Sequence, residues 1–182
     1  MKPKKSLIFL IPICIFLTLI TSALARCMIS GKVVDADTKK PIVGAAIYIS
    51  WWKMSGPPGL ASNVKVEVAE CLTDDKGFFK IPKYSTLFKD YLMAVYKKGY
   101  VCWNNEDIFP TYEKRKDFKL KNGMVIKLER FKEEYSKERH ANFTIGSSPQ
   151  RKSPGLFDDA IKSERDFLAE IAKKQWENKR GK

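Results

Sequence analysis

The segment VKVEVAECLT, Val64 to Thr73, alternates valine with charged residues along its first half. A side-chain period of two puts one face in water and the other against a core, so this stretch must pair as a strand and be covered on its apolar side. Similar short runs recur from Met28 to Arg130. MISGKVVD (28–35) has a β-branched centre, and AAIYISWW (45–52) begins apolar on both faces. FFKIP (78–82) and YLMAVYKKGY (91–100) follow, the latter closed by Gly99. FKLKN, Gly123 and MVIKLERF (118–131) read as a last hairpin. Between these runs lie turn signals. ADTKKPIVG carries Thr38, Pro41 and Gly44, and KMSGPPGLASN holds Pro57-Pro58 between two glycines. Asp74-Asp75-Lys76-Gly77 predicts a hairpin turn joining VKVEVAECLT to FFKIP, with Gly77 free to take positive φ. Residues 103–116 are polar and read as irregular. Many short strands at this spacing predict a mainly β sandwich.

The two ends differ in kind from the middle. Lys2, Lys4 and Lys5 precede an apolar run, residues 6–25, that ends Ala23-Leu24-Ala25. A basic start, an apolar centre and a small-x-small tail predict an export signal helix cut after Ala25. The alternative is an uncleaved anchor, because the run approaches the ~20 residues a spanning helix needs. Cys27 sits just past it, but Arg26 rather than a small residue precedes that cysteine, which argues against lipidation. Residues 26–131 then form the sandwich domain and 132–182 a tail. In the tail, FKEEYSKERHANF is charged and partly helical, and GSSPQRKSPG reads as a linker. LFDDAIKSERDFLAEIAKKQW carries Phe157, Ala160, Ile161, Phe167, Leu168, Ile171 and Trp176 as one stripe, which predicts a C-terminal amphipathic helix. Ser153 fits its N-cap and Pro154 its first turn. Such a helix stabilises itself by covering the sandwich; its lysines with Phe157, Phe167 and Trp176 also allow contact with a membrane surface.

The formal charge of +13 falls to +10 if a leader through Ala25, with its three lysines and no acids, is removed. The lysines are scattered and acids interleave in the second half, so they read as solvated faces, and an exported address excludes nucleic acid as the partner. Cys14 leaves with the leader. Cys27, Cys71 and Cys102 remain, an odd number that predicts one disulfide and one free thiol in an oxidising compartment. His140, the single histidine, lies in a charged stretch and reads as a surface residue. One histidine gives no metal set, and as the only candidate base for a serine nucleophile it comes with no Gly-x-Ser-x-Gly elbow, so no cofactor, metal or catalytic residue is expected. Asp35, Asp37, Asp74 and Asp75 match no calcium loop and read as turn residues. Asn142-Phe143-Thr144 is a glycosylation sequon only in a eukaryotic secretory pathway. Trp51, Trp52 and Trp103 are the candidate binding residues, since exposed tryptophans beside a mobile loop stack on sugars or anchor a partner. Alternation lets only one of Trp51 and Trp52 face inward.

Several ordered motifs add a resemblance. ISGKVVDADTKKPIVGAAIYI, CLTDDKGFFKIP, YKKGY and MVIKLERF together resemble the carboxypeptidase regulatory-like domain, a member of the transthyretin-like (prealbumin) β-sandwiches. The resemblance implies a Greek-key sandwich of about seven strands over Ile29 to Phe131. It implies a second sheet in the order third, second, fifth, sixth strand, all antiparallel. It assigns Phe79 to the core, the Tyr100 hydroxyl to a loop, and Gly44 to a tight return into the sheet. It also implies a Cys71–Cys102 disulfide, with Cys27 left free. The zinc peptidases that carry such a module need a separate catalytic domain. The related hydroxyisourate hydrolases use several histidines and a C-terminal Tyr-Arg-Gly-Ser, of which only Arg180-Gly181 stands here. The expectation is an exported, non-catalytic binding or accessory module whose ligand is a protein or a glycan. The alternatives are an envelope spacer anchored by residues 6–25 and a hydrolase dependent on His140.

Overall fold

A computed structural model describes residues 28–57, 59–83, 89–148 and 154–180, so the leader and its cleavage site lie outside the described residues. Among the described residues seven strands form two stacked sheets: β1 (Met28–Asp35), β2 (Ala46–Ser55), β3 (Ser62–Leu72), β4 (Phe78–Pro82), β5 (Lys89–Tyr96), β6 (Trp103–Asn104) and, after a small excursion, β9 (Met124–Leu128). The excursion is a separate two-stranded ladder, β7 (Asp107–Ile108) with β8 (Glu113–Lys114), inside a stretch whose polarity predicted no regular structure. One sheet runs β4-β1-β9 and the other β3-β2-β5-β6. β1 pairs antiparallel with β4 and parallel with β9, whereas the four-stranded sheet is antiparallel throughout. That sheet has the third-second-fifth-sixth order the resemblance implies. The fold is a mainly β sandwich.

Period-two alternation decides what lies between the sheets. Ile47, Ile49 and Trp51 of β2 and Met93 and Val95 of β5 meet Val33, Phe79, Ile81, Ile126 and Leu128 of the facing sheet. Each such side chain, fully buried, stabilises by about 1.5–3 kcal/mol through the water it no longer meets.

Two predicted hairpins are not hairpins. The Asp74–Gly77 turn is tight: the Asp74 carboxylate accepts from Lys76 N–H at 2.9 Å and Phe78 N–H at 2.8 Å, and Gly77 takes φ +76°. Its two strands nevertheless belong to different sheets, β3 on β2 and β4 on β1. The Gly77 carbonyl accepts from Val33 N–H at 2.8 Å, so the turn is tied to β1 and carries the chain across the sandwich. FKLKN likewise forms no strand. β9 lies parallel beside β1, and the Asn122 side chain accepts from Ser30 N–H at 2.9 Å. Phe118 and Leu120 still cover the core from a coil. Alternation states which side of a segment is buried, not which segment it pairs with.

The tail folds over the outer face of the four-stranded sheet. α1 (Lys137–Gly146) starts at Ser136, whose hydroxyl accepts from Arg139 N–H at 3.3 Å. The predicted amphipathic helix is broken at Ile161 into α2 (Leu156–Ala160) and α3 (Lys162–Arg180). Phe157 and Ile161 are fully buried against Ala46, Tyr48, Ala94 and Tyr96. The stripe is covered at its start only: Phe167, Leu168 and Ile171 are half-buried and Trp176 is 60% exposed. Lys137 of α1 sits 4.2 Å from the Phe167 ring centre, joining α1 to α3. Ser153 lies outside the described residues. Gly155 holds the N-cap position and Pro154 precedes it, so the proline is not in the first turn. Two carboxylates cap this start: Asp158 accepts from Gly155 N–H at 3.1 Å, and Glu70 of β3 accepts from Leu156 N–H at 2.9 Å and Phe157 N–H at 3.2 Å.

Candidate functional site

The three candidate tryptophans separate. Trp51 is 0% exposed, inside the inter-sheet core. Trp103 is also buried, edge-on to Phe118 with ring centres 4.7 Å apart and under the Arg115 guanidinium at 4.9 Å. Both rings are buried, which corrects the expectation of an exposed aromatic surface at Trp51 and Trp103. β2 alternates, so Trp52 faces the other way. Its indole N–H donates to Ser50 Oγ at 3.1 Å, and Lys65 Nζ lies 5.0 Å from its ring centre.

Beside Trp52 the four-stranded sheet runs past the helices and its outer face opens. Trp52, Asn63, Asp90, Leu92 and Glu106 line a cleft of about 580 Å3, together with Tyr91 and Asn105. Register builds it: Trp52 stands opposite Asp90, Ser50 opposite Leu92 and Met54 opposite Asn63, all with the parity of the outer face. Asn105 is committed to the scaffold, accepting from Met93 N–H at 2.5 Å and donating to the Tyr91 carbonyl at 3.3 Å. Asn63, Asp90 and Glu106 are exposed and supply the cleft's polar groups. Leu92 and Glu106 also line a second cleft of about 300 Å3, with Asp107, Tyr112, Asn142 and Phe143, so the two adjoin along the sheet. Asp107 is paired with Lys114 at 2.8 Å. Sequence reading missed Asp90 and Glu106, because only strand register and the return of the chain after β6 bring them to Trp52.

His140 is not a surface residue. It is 3% exposed, and Nε2 accepts from the Cys102 backbone N–H at 3.0 Å. The ring lies 4.9 Å from Phe131 and 5.3 Å from Phe109. Accepting through Nε2 requires the neutral imidazole with its proton on Nδ1. Burial holds its pKa below 6.5, against the pull of Glu164. The Tyr96 hydroxyl donates to Glu164 Oε1 at 2.7 Å, while Glu164 Oε2 is buried with no hydrogen-bond partner among the described residues. Burial, then Glu164, raises the Tyr96 pKa well above its ordinary value. His140 is therefore a structural acceptor that ties α1 to the chain entering β6.

The predicted Cys71–Cys102 disulfide does not form, and both thiols are free. Cys71 stands opposite Ile47 and packs on the inter-sheet core. Cys102 belongs to the cluster under the helices, on the other side of the same sheet. A bridge cannot pass through a sheet. Burial pushes the Cys71 thiol up to about 11 and the Cys102 thiol up to about 12, so neither is a ready thiolate nucleophile. Cys27 lies outside the described residues.

Asp35 serves its turn. Its carboxylate accepts from Thr38 N–H at 2.9 Å, Asp37 N–H at 3.0 Å and the Tyr100 hydroxyl at 3.1 Å, and it pairs with Arg130 at 2.8 Å. The Thr38 N–H leads the causes that hold its pKa well below the usual carboxylate range. Among the described residues no three His, Cys, Asp or Glu side chains converge as metal ligands. No described helix is long and apolar enough to cross a membrane.

No family model matches the chain, and no curated protein matches it. Among solved structures it is similar to the C-terminal domain of the shaft pilin SpaA from Lactobacillus rhamnosus GG, at 15% identity and a TM-score of 0.33, over 57% of this chain and 97% of that one. A streptococcal ancillary pilin is similar at 15% identity and a TM-score of 0.30, over 58% of this chain; the chain spans only 30% of that protein's length. A catechol 1,2-dioxygenase from Acinetobacter radioresistens is similar at 12% identity and a TM-score of 0.32, over 70% of this chain and 55% of that one.

Proposed function

We propose that the chain is an exported, non-catalytic β-sandwich module that holds a glycan in the groove beside Trp52. The observation that carries this reading is the placement of one partly exposed indole at the head of a cleft of about 580 Å3 beside Asp90, Glu106 and Asn63. A sugar ring offers an apolar C–H face to an aromatic ring and hydroxyl donors to carboxylates and amides at its edge. The commitment of His140 to the Cys102 N–H and the protonated state of both described thiols support the non-catalytic part. The export signal of residues 6–25 supports an extracytoplasmic address. The resemblance to carboxypeptidase regulatory-like domains belongs to the same reading, supported by the β3-β2-β5-β6 order and by the observed roles of Asp74, Phe79 and Tyr100.

The test is a glycan array probed with the protein and with Trp52→Ala and Asp90→Ala. Binding by the natural protein, with at least about a tenfold loss in each variant, is the expected result. An array on which the protein gives no signal, or on which both variants bind as well as the parent, overturns the reading. Capture of a protein partner that depends on Trp52 would replace the glycan with that partner.

A further inference from the structure

On the other flank of the β7–β8 ladder lies a cleft of different chemistry, about 230 Å3 in volume, bounded by the ladder and the end of the three-stranded sheet. Its apolar wall is Val101, Trp103, Ile108 and Phe109, and its cationic residues are Arg115 and Lys127.

Arg115 is the unusual member. Its side chain is only 14% exposed, yet the one carboxylate paired with it among the described residues is Asp117, 3.4 Å away and 77% exposed. Nε–H donates to the Asn104 carbonyl at 2.8 Å, and the guanidinium lies over the Trp103 ring. Those bonds use two of the five N–H donors of a guanidinium. Burial pulls the Arg115 pKa down, against Asp117. A cation largely withdrawn from water with such weak compensation is costly unless an anion joins it. The acid that lines the cleft, Glu129, is already engaged: its Oε1 is 2.7 Å from Lys132 Nζ and accepts from the Tyr135 hydroxyl at 2.8 Å. The cleft therefore presents net positive charge against an apolar wall, where a charge pair is stronger than in open water.

The geometry points to an anion site in which Arg115, with Lys127 at the margin, takes a carboxylate or phosphate group of a ligand. A planar guanidinium with spare donors suits two oxygens of one group, and Lys127 adds a point charge. This site is separate from the groove beside Trp52, and the inference does not rest on the glycan reading.

The experiment is a nuclear magnetic resonance titration of the protein, following the Arg115 side-chain Nε–H signal and the Lys127 amide. Acetate and inorganic phosphate form the two arms, with sodium chloride at matched ionic strength as the control. A saturable shift at Arg115 with either anion, absent with chloride, is expected, and the arm that saturates earlier identifies the preferred group. Lys127→Gln, an exposed and fold-neutral change, should weaken that binding about threefold. Arg115→Lys should abolish the saturable shift at the Lys127 amide. No saturable shift in either arm, shifts equal to those in chloride, or binding that Lys127→Gln and Arg115→Lys both leave intact would overturn the proposal.

Discussion

The four-stranded sheet is packed on both faces, and the two faces are unlike. Its inner face meets the β4-β1-β9 sheet through Ile, Val, Met, Trp51 and Phe79. Its outer face meets the helices through Phe157 and Ile161, but also through Tyr96, Cys102, His140, Thr144 and Glu164. The inner core gains from area and volume, which many apolar combinations satisfy. The outer layer adds bonds that only one placement of the helices satisfies: Nε2 of His140 on Cys102 N–H, Glu164 on the Tyr96 hydroxyl, Glu70 on the start of α2. Burial drives folding on both sides, and the polar contacts orient the tail on one.

Trp51→Ala should cost about 3–5 kcal/mol, read as a fall in the denaturant midpoint for the whole molecule. A loss below about 1 kcal/mol would mean that the inner core is not the main support. Thiol chemistry probes both faces at once. With Cys71 pushed up to about 11 and Cys102 to about 12, the folded protein at pH 8 should alkylate at these positions about a hundredfold or more slowly than the unfolded chain. Rapid labelling of Cys102 alone would show that the helical layer opens readily.

His140→Leu removes the acceptor of a buried N–H and should cost about 1–3 kcal/mol. Hydrogen exchange should place the effect at Cys102 and α1, leaving Ile47 and Val33 protected; uniform loss would erase the distinction between the faces. The pH dependence has a definite sign. The folded protein holds the His140 pKa below 6.5, so the unfolded chain binds the proton first. The stability from neutral His140 is complete above pH 6.5 and drains away as pH falls toward the lower folded value. Denaturant midpoints between pH 7.5 and 5 should fall in the natural protein, and this component should vanish in His140→Gln, which accepts a bond without titrating. A midpoint that rises on acidification would reverse the assigned protonation state. The smallest effect on stability belongs to Trp52→Ala, within about 0.5 kcal/mol, even where ligand binding is lost. A larger cost would make Trp52 a packing residue.

Strand positions were legible wherever alternation was strong. MISGKVVD became β1 residue for residue, and FFKIP became β4. Asp74 and Gly77 were legible as turn residues, because a tight turn leaves those residue types few alternatives, whereas the roles of Phe79 and Tyr100 came with the resemblance. Part of the proposed groove was visible: Trp52 stood out as a tryptophan, and alternation required it and Trp51 to face opposite ways. Asp90, Glu106 and Asn63 carried no signal, being ordinary polar residues until register set them around that ring. Arg115 was hidden for the same reason. His140 misled because its neighbours in sequence are charged, while its neighbours in space are Phe109 and Phe131.

Local chemistry alone determined where the longer strands extend, where the chain turns and which side of each of those strands is apolar. Those properties follow from backbone sterics and side-chain period over a few residues. The tertiary structure decided which strand pairs with which, that the Asp74–Gly77 turn changes sheets, that Cys71 and Cys102 lie on opposite sides of one sheet, and that the tail covers part of the outer face. Each depends on groups far apart in sequence, such as Val33 with Gly77 and Cys102 with His140. Such pairs form only when folding brings them within bonding distance and burial makes an unpaired polar group too costly to leave.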